Sequence, residues 1–212
     1  MNRSEQRIPK LRTRGRENRR RLLAETQRLL LASAGSPLKF SDVFEAAGVS
    51  RGSAYRIYIG VDDLLQDLAT EWVNNLAEYL TTIDLETEPE NWTELSNLIV
   101  QRGAEYWTAT ANTLKVLPQI RSNAPASYKQ AVRTMSDCLA VLFNRYFVVP
   151  EVPGWLSKLA FFTQICDITF ADAVRSDGYI SEERRKEAEV LCRTYLAFHL
   201  PALLPLRGQT KT

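Results

Sequence analysis

Apolar residues recur at three- and four-residue spacing along almost the whole chain, and alternating β-branched runs are missing. This pattern constrains the fold more than any other feature, because a side-chain period near 3.6 suits helices and does not suit strands. The periodic segments fall at about 16–34, 41–47, 51–57, 62–82, 91–111, 113–122, 126–147, 155–175 and 181–204. Breakers separate them where expected: "AGSP" with Gly35 and Pro37, Gly48, the acidic "DLETEPEN", "SNAP", and "VVPEVPG". Ser41, Ser50 and Ser181 stand where N-caps are wanted, and Asp62 and Asp63 suit a helix start. The expected architecture is all-α, with about nine helices.

The segment 155–175 is apolar on two sides. Trp155, Leu159, Phe162, Cys166 and Phe170 form one face, and Phe161, Ile165 and Ile168 form another. A helix of that kind needs its own core on one side and a partner on the other.

Charge is distributed unevenly. Residues 1–21 carry nine basic side chains against Glu5 and Glu17, whereas the whole chain sums to only +2. A basic N-terminus on a mildly acidic body suits a polyanion, although a solvated tail has the same composition. No apolar stretch of signal-peptide length follows the basic start, and no run approaches the roughly 20 apolar residues of a spanning helix. A reduced cytoplasmic location without membrane association is expected. Cys138, Cys166 and Cys192 are widely spaced, as befits buried thiols rather than a disulfide framework or metal knuckle.

The stretch "AAGVSRGSAYRIY", Ala46 to Tyr58, is the most informative local motif. Two short helices separated by a glycine turn and preceded by a longer helix make a helix-turn-helix, whose second helix enters a DNA major groove. Gly52 and Ser53 keep the first turn of that helix slim. Arg51 and Arg56 supply charge or base-edge hydrogen bonds, and Tyr55 and Tyr58 supply hydroxyls for phosphate. A surface helical hairpin with solvated arginines is the plain structural alternative.

Residues 40–65, "FSDVFEAAGVSRGSAYRIYIGVDDLL", resemble the signature of the TetR family of bacterial regulators. Val43, Ala47, Gly48, Val49, Ser50, Gly52, Ser53, Tyr55, Tyr58, Asp62 and Leu64 match that pattern or a close relative of it. The resemblance implies a basic flexible arm over 1–15 and a helix-turn-helix DNA-binding domain over 16–60. It implies a helical effector-binding and dimerisation domain over 61–212. It further implies double-stranded operator DNA as partner, a small-molecule effector, a homodimer through the last two helices, and no cofactor. Ser41, Ser50 and the arginines Arg12, Arg14 and Arg16 join the expected DNA contacts.

Three positions depart from the family pattern. Phe44 replaces a small alanine and Ala54 replaces a larger aliphatic residue, which reads as a volume-conserving swap in which Phe44 fills the space Ala54 vacates. Val61 replaces a lysine that would hold phosphate.

The expected effector pocket comprises Trp72, Tyr79, Arg102, Tyr106, Trp107, Met135, Cys138, Phe143, Phe162, Cys166 and Thr169, with Gln164 and Asp167 as further polar groups. Its aromatic content favours a largely apolar effector; ordinary core packing is the alternative for each residue. An enzyme is disfavoured. His199 is a lone histidine near the last helix end, and no phosphate loop, paired-histidine metal spacing or nucleophile elbow occurs. The competing reading is a ligand- or protein-binding module whose helix-turn-helix no longer binds DNA.

Overall fold

The computed structural model describes residues 7–32, 37–82, 88–109 and 126–208. Among them are eight helices: α1 (Arg7–Ala32), α2 (Phe40–Ala46), α3 (Arg51–Ile57), α4 (Val61–Thr81), α5 (Trp92–Ala109), α6 (Ala126–Tyr146), α7 (Trp155–Asp177) and α8 (Glu182–Ala197). The only β-pairing among the described residues is an antiparallel bridge between Phe147 and Leu206. The expected helix at 113–122 lies outside the described residues. No described helix is long and apolar enough to cross a membrane.

The chain forms two compact units, one ending at Ala69 and the other starting at Thr70. In the first, Leu22, Leu23, Thr26 and Leu30 of α1 are buried, as are Val43, Ala47, Val49, Ala54, Leu64 and Leu68. Thr26 needs no outside partner there, because its hydroxyl donates to the Leu22 carbonyl at 2.7 Å.

The turn between α2 and α3 closes through backbone bonds that the sequence dictates. Gly48 takes φ +59, a left-handed conformation open to glycine without penalty. Its N–H donates to the Glu45 carbonyl at 3.0 Å, and the Val49 N–H donates to the Phe44 carbonyl at 2.9 Å. This pair of bonds is a Schellman closure, which satisfies carbonyls the helix end would otherwise strand.

The second unit buries Trp92, Leu95, Trp107, Met135, Phe143, Phe147, Leu159, Phe162, Phe170, Cys192 and Leu196. α5 starts with reciprocal capping: Asn91 Oδ1 accepts from the Glu94 N–H at 3.0 Å, and Glu94 Oε2 accepts from the Glu90 N–H at 2.9 Å. α8 starts with Ser181 accepting from the Arg184 N–H at 3.2 Å.

Three sequence expectations are corrected. α1 begins at Arg7 rather than near 16, so Arg12 and Arg14 stand on helical backbone. Pro9 does not prevent this, since its missing N–H falls in a first turn that has no intrahelical partner for it. Ser41 is not an N-cap; Lys39 holds that position, and the Ser41 hydroxyl donates to Asp42 Oδ1 at 3.0 Å. α8 stops at Ala197, short of 204, because Pro201 disfavours helical backbone in the residue before it.

Candidate functional site

α3 carries a polar, outward-facing surface. Arg51, Gly52, Tyr55 and Arg56 are exposed and Ser53 is half-buried. A Cβ built on Gly52 would meet nothing within 4 Å, so no internal packing requires glycine there.

Tyr55 is held on its inner side by the Phe40 ring (centroids 5.1 Å apart, edge-on) and by Phe44 at 6.3 Å. The Arg51 guanidinium lies 5.7 Å from the Tyr55 ring centre. Arg56 Nε donates to the Gly52 carbonyl at 3.1 Å, which lays that side chain back along the helix. Ser50 is the N-cap residue of α3, but its hydroxyl donates to Ser53 Oγ at 2.9 Å instead of capping the backbone. These contacts limit the rotamers of five polar side chains.

Tyr58 departs from the sequence expectation. It is buried, and its hydroxyl donates to Asp67 Oδ2 at 2.5 Å. Asp67 also receives Arg19 through two bonds of 2.7 Å, from Nε and Nη2. Burial, and then the Asp67 carboxylate, push the Tyr58 hydroxyl well above the ordinary tyrosine range. Tyr58 therefore ties the end of α3 to α1 and α4 and does not face outward. Ala54, four residues earlier, is fully buried on the same side.

A concavity of about 670 Å³ lies beside the turn, lined among others by Arg14, Asn18, Arg21, Gly48, Ser50 and Ser53. Arg21 Nη2 stands 2.8 Å from where a Gly48 Cβ would be. Glycine is thus favoured at 48 by its φ, and the Arg21 guanidinium passes close over it. Sequence reasoning passed over Arg21, although its position one residue before the buried Leu22 places it at the edge of the α1 core stripe. Arg16 is exposed on α1, and Val61 is half-buried at the first residue of α4. The side chain of Arg12 is outside the described set.

The residues expected to line an effector pocket divide into separate groups. Tyr79 and Tyr106 rings lie 5.8 Å apart, and Tyr106 meets Trp107 edge-on at 5.2 Å. The Tyr106 hydroxyl donates to the Trp72 carbonyl at 3.3 Å, and burial with nearby Glu71 pushes it up to about 12. Arg102 pairs with Glu105 at 2.9 Å. The Arg102 Nε and Trp72 Nε1 groups are buried without a hydrogen-bond partner among the described residues.

Met135, Phe143 and Phe162 are instead closed core side chains, and Phe143 packs edge-on against Trp155 at 5.6 Å. Cys138 is half-buried, and Cys166 is buried against Cys192. Thr169, whose hydroxyl donates to the Ile165 carbonyl at 2.8 Å, lines an open groove of about 1360 Å³ with Gln164 and Asp167. Helical stripes select core residues and cavity walls alike, which explains the division.

The α7 surface opposite this core is uncovered in the single chain. Phe161 is 48% exposed and Ile168 is 64% exposed, and on α8 Leu191 is 51% exposed. No three His, Cys, Asp or Glu side chains gather as a metal site among the described residues.

No family model matches the chain, and no curated protein matches it. Solved structures do match. A TetR-family transcriptional regulator from Streptomyces coelicolor is 18% identical, with a TM-score of 0.65 over 86% of this chain and 99% of that one. A TetR transcriptional regulator from Rhodococcus sp. RHA1 is 12% identical, with a TM-score of 0.68 over 85% and 96%. The chain has the fold of the TetR-family transcriptional regulators: an N-terminal helix-turn-helix followed by a helical body.

Proposed function

We propose that the protein is a DNA-binding transcriptional regulator, a cytoplasmic repressor released by a small, largely apolar effector. The observation that carries this reading is the outer face of α3, where Arg51, Tyr55 and Arg56 surround a glycine that packing does not require. Arginine suits guanine edges and phosphate, and the tyrosine hydroxyl suits phosphate. Ser41, Ser50, Ser53 and the α1 arginines Arg12, Arg14 and Arg16 complete the proposed contact set.

The dimer is proposed on the uncovered face of α7 and α8, where Phe161, Ile168 and Leu191 remain in water in a single chain. Two copies related by a two-fold axis present two recognition helices about 34 Å apart, matching a near-palindromic operator. The effector site is proposed at Trp72, Tyr79, Arg102, Tyr106 and Trp107, where aromatic surface surrounds two unpartnered donors. Release then follows when the effector prefers the form whose recognition helices are misplaced.

Val61, where a cation would grip phosphate, favours a second reading in which the helix-turn-helix has lost DNA binding. Selection from random duplexes with purified protein, followed by a salt titration, decides between them. A palindromic site and a steep fall in affinity with salt are expected; weak binding of every duplex and a flat salt response would establish the second reading.

A further inference from the structure

We propose that Cys166 and Cys192 are a disulfide-forming pair that closes when a small, neutral two-electron oxidant of the peroxide class reaches the body of the protein. Their sulfurs lie 3.3 Å apart in the contact between α7 and α8, and both are free thiols. A disulfide needs about 2.05 Å between sulfurs, so about 1 Å of movement completes the bond.

The surroundings hold the two helices in the register the bond requires. Toward the α7–α8 turn, Arg184 of α8 lies 3.7 Å from both Asp172 and Asp177 of α7. Toward the other end, the Phe161 and Tyr195 rings pack at a tilt with centroids 5.0 Å apart. The pair sits between these clamps. Cys192 Sγ also lies 3.7 Å from the Phe162 carbonyl, where its S–H donates. Cys138, on α6, is free and half-buried.

The chemistry runs in two balanced steps. Cys192 is completely buried, whereas Cys166 keeps 9% exposure. Cys166 is therefore attacked first. Its sulfur takes one peroxide oxygen as the O–O bond breaks, the thiol proton leaves with the departing hydroxide as water, and a sulfenic acid remains. Cys192 sulfur then displaces hydroxide from that sulfur; the S–O bond breaks, the S–S bond forms, and the Cys192 proton leaves as a second water. Two thiols lose two electrons in total, and one peroxide becomes two waters. The adjoining Cys192 thiol, burial and Asp167 all hold the Cys166 thiol protonated. The reaction is correspondingly slow and excludes bulky or charged oxidants. The bond would fix α7 against α8 beneath Ile168 and Leu191.

The test treats the full-length wild-type chain with hydrogen peroxide, blocks remaining thiols with an alkylating agent before and after unfolding, and maps peptides by mass without reductant. A peptide linking Cys166 to Cys192, two hydrogens lighter than its parts and lost on adding dithiothreitol, is expected. It forms equally in Cys138→Ala, and Cys192→Ala instead leaves a dimedone-reactive sulfenic acid at Cys166. The thermal unfolding midpoint of the wild type rises on oxidation. Recovery of Cys166 and Cys192 as unlinked thiols or sulfinic acids, or a Cys138 disulfide between chains taking up the oxidant, would overturn the proposal.

Discussion

Two tyrosines three positions apart do opposite work, one on α3 and one just past its end. Tyr55 projects from an aromatic seat, while Tyr58 is an internal tie to Asp67 and Arg19. The sequence identified both as outward hydroxyl donors. Tyr58, however, follows the last helical residue, with extended backbone at φ −130 and ψ 139. The usable signal was its spacing of four from Ala54, whose burial marks the inner face. Tyr58→Phe should lower stability by about 1.5–3 kcal/mol, the worth of a hydrogen bond to a charged acceptor, as measured by urea unfolding. The folded state holds this hydroxyl proton more tightly than the unfolded chain does. Its contribution is thus complete below about pH 10 and is lost as pH rises beyond it, so the variant should decline less steeply above that pH. Arg21 is the complementary case, a residue whose importance lies in the glycine it passes over. Arg21→Met removes the guanidinium beside Gly48 and with it the charge. It should weaken operator binding and reduce the slope of log affinity against log salt by about 1, with the fold unchanged by circular dichroism.

At the scale of elements, helix existence was legible and helix ends less so. The Schellman turn after α2 was visible in Gly48, because glycine accepts the left-handed backbone freely. The start of α1 was not visible, because a run dense in arginine looks solvated whether or not it is helical. The contact between α2 and α3 rests on Phe40, Phe44 and Tyr55, whose rings lie 5.1 to 6.3 Å apart, while Ala54 is fully buried. The proposed exchange of volume between Phe44 and Ala54 gives a measurable cycle. Phe44→Ala alone should cost about 2–4 kcal/mol and Ala54→Leu alone about 1–3. The double variant should be more stable than the sum of those losses implies; simple additivity in urea unfolding would show that the two sites do not share space. At the other end of the chain, Ser181→Ala should cost about 1 kcal/mol in the same assay, since it strands the Arg184 N–H.

For the molecule as a whole, the two-sided apolar pattern of α7 was readable because one side meets a core while Phe161 and Ile168 on the other stay largely exposed. The proposed effector site was not readable, because periodicity cannot separate a cavity wall from close packing. Ile168→Asp should shift sedimentation from dimer to monomer while leaving helix content intact, and should weaken operator binding with it. The C-terminal segment has a consequence of another kind. Trp92 Nε1 donates to the Pro201 carbonyl at 2.9 Å, across 109 positions of sequence. The Val148 N–H donates to the Pro205 carbonyl and the Arg207 N–H to the Tyr146 carbonyl, both at 2.8 Å. α1, α2 and α3 close on near neighbours, so the first unit finishes early as the chain leaves the ribosome. The second unit has its fastening in its final residues. Cutting the chain before Pro201 should therefore uncover Phe147 and Trp92 and promote aggregation, as read by static light scattering.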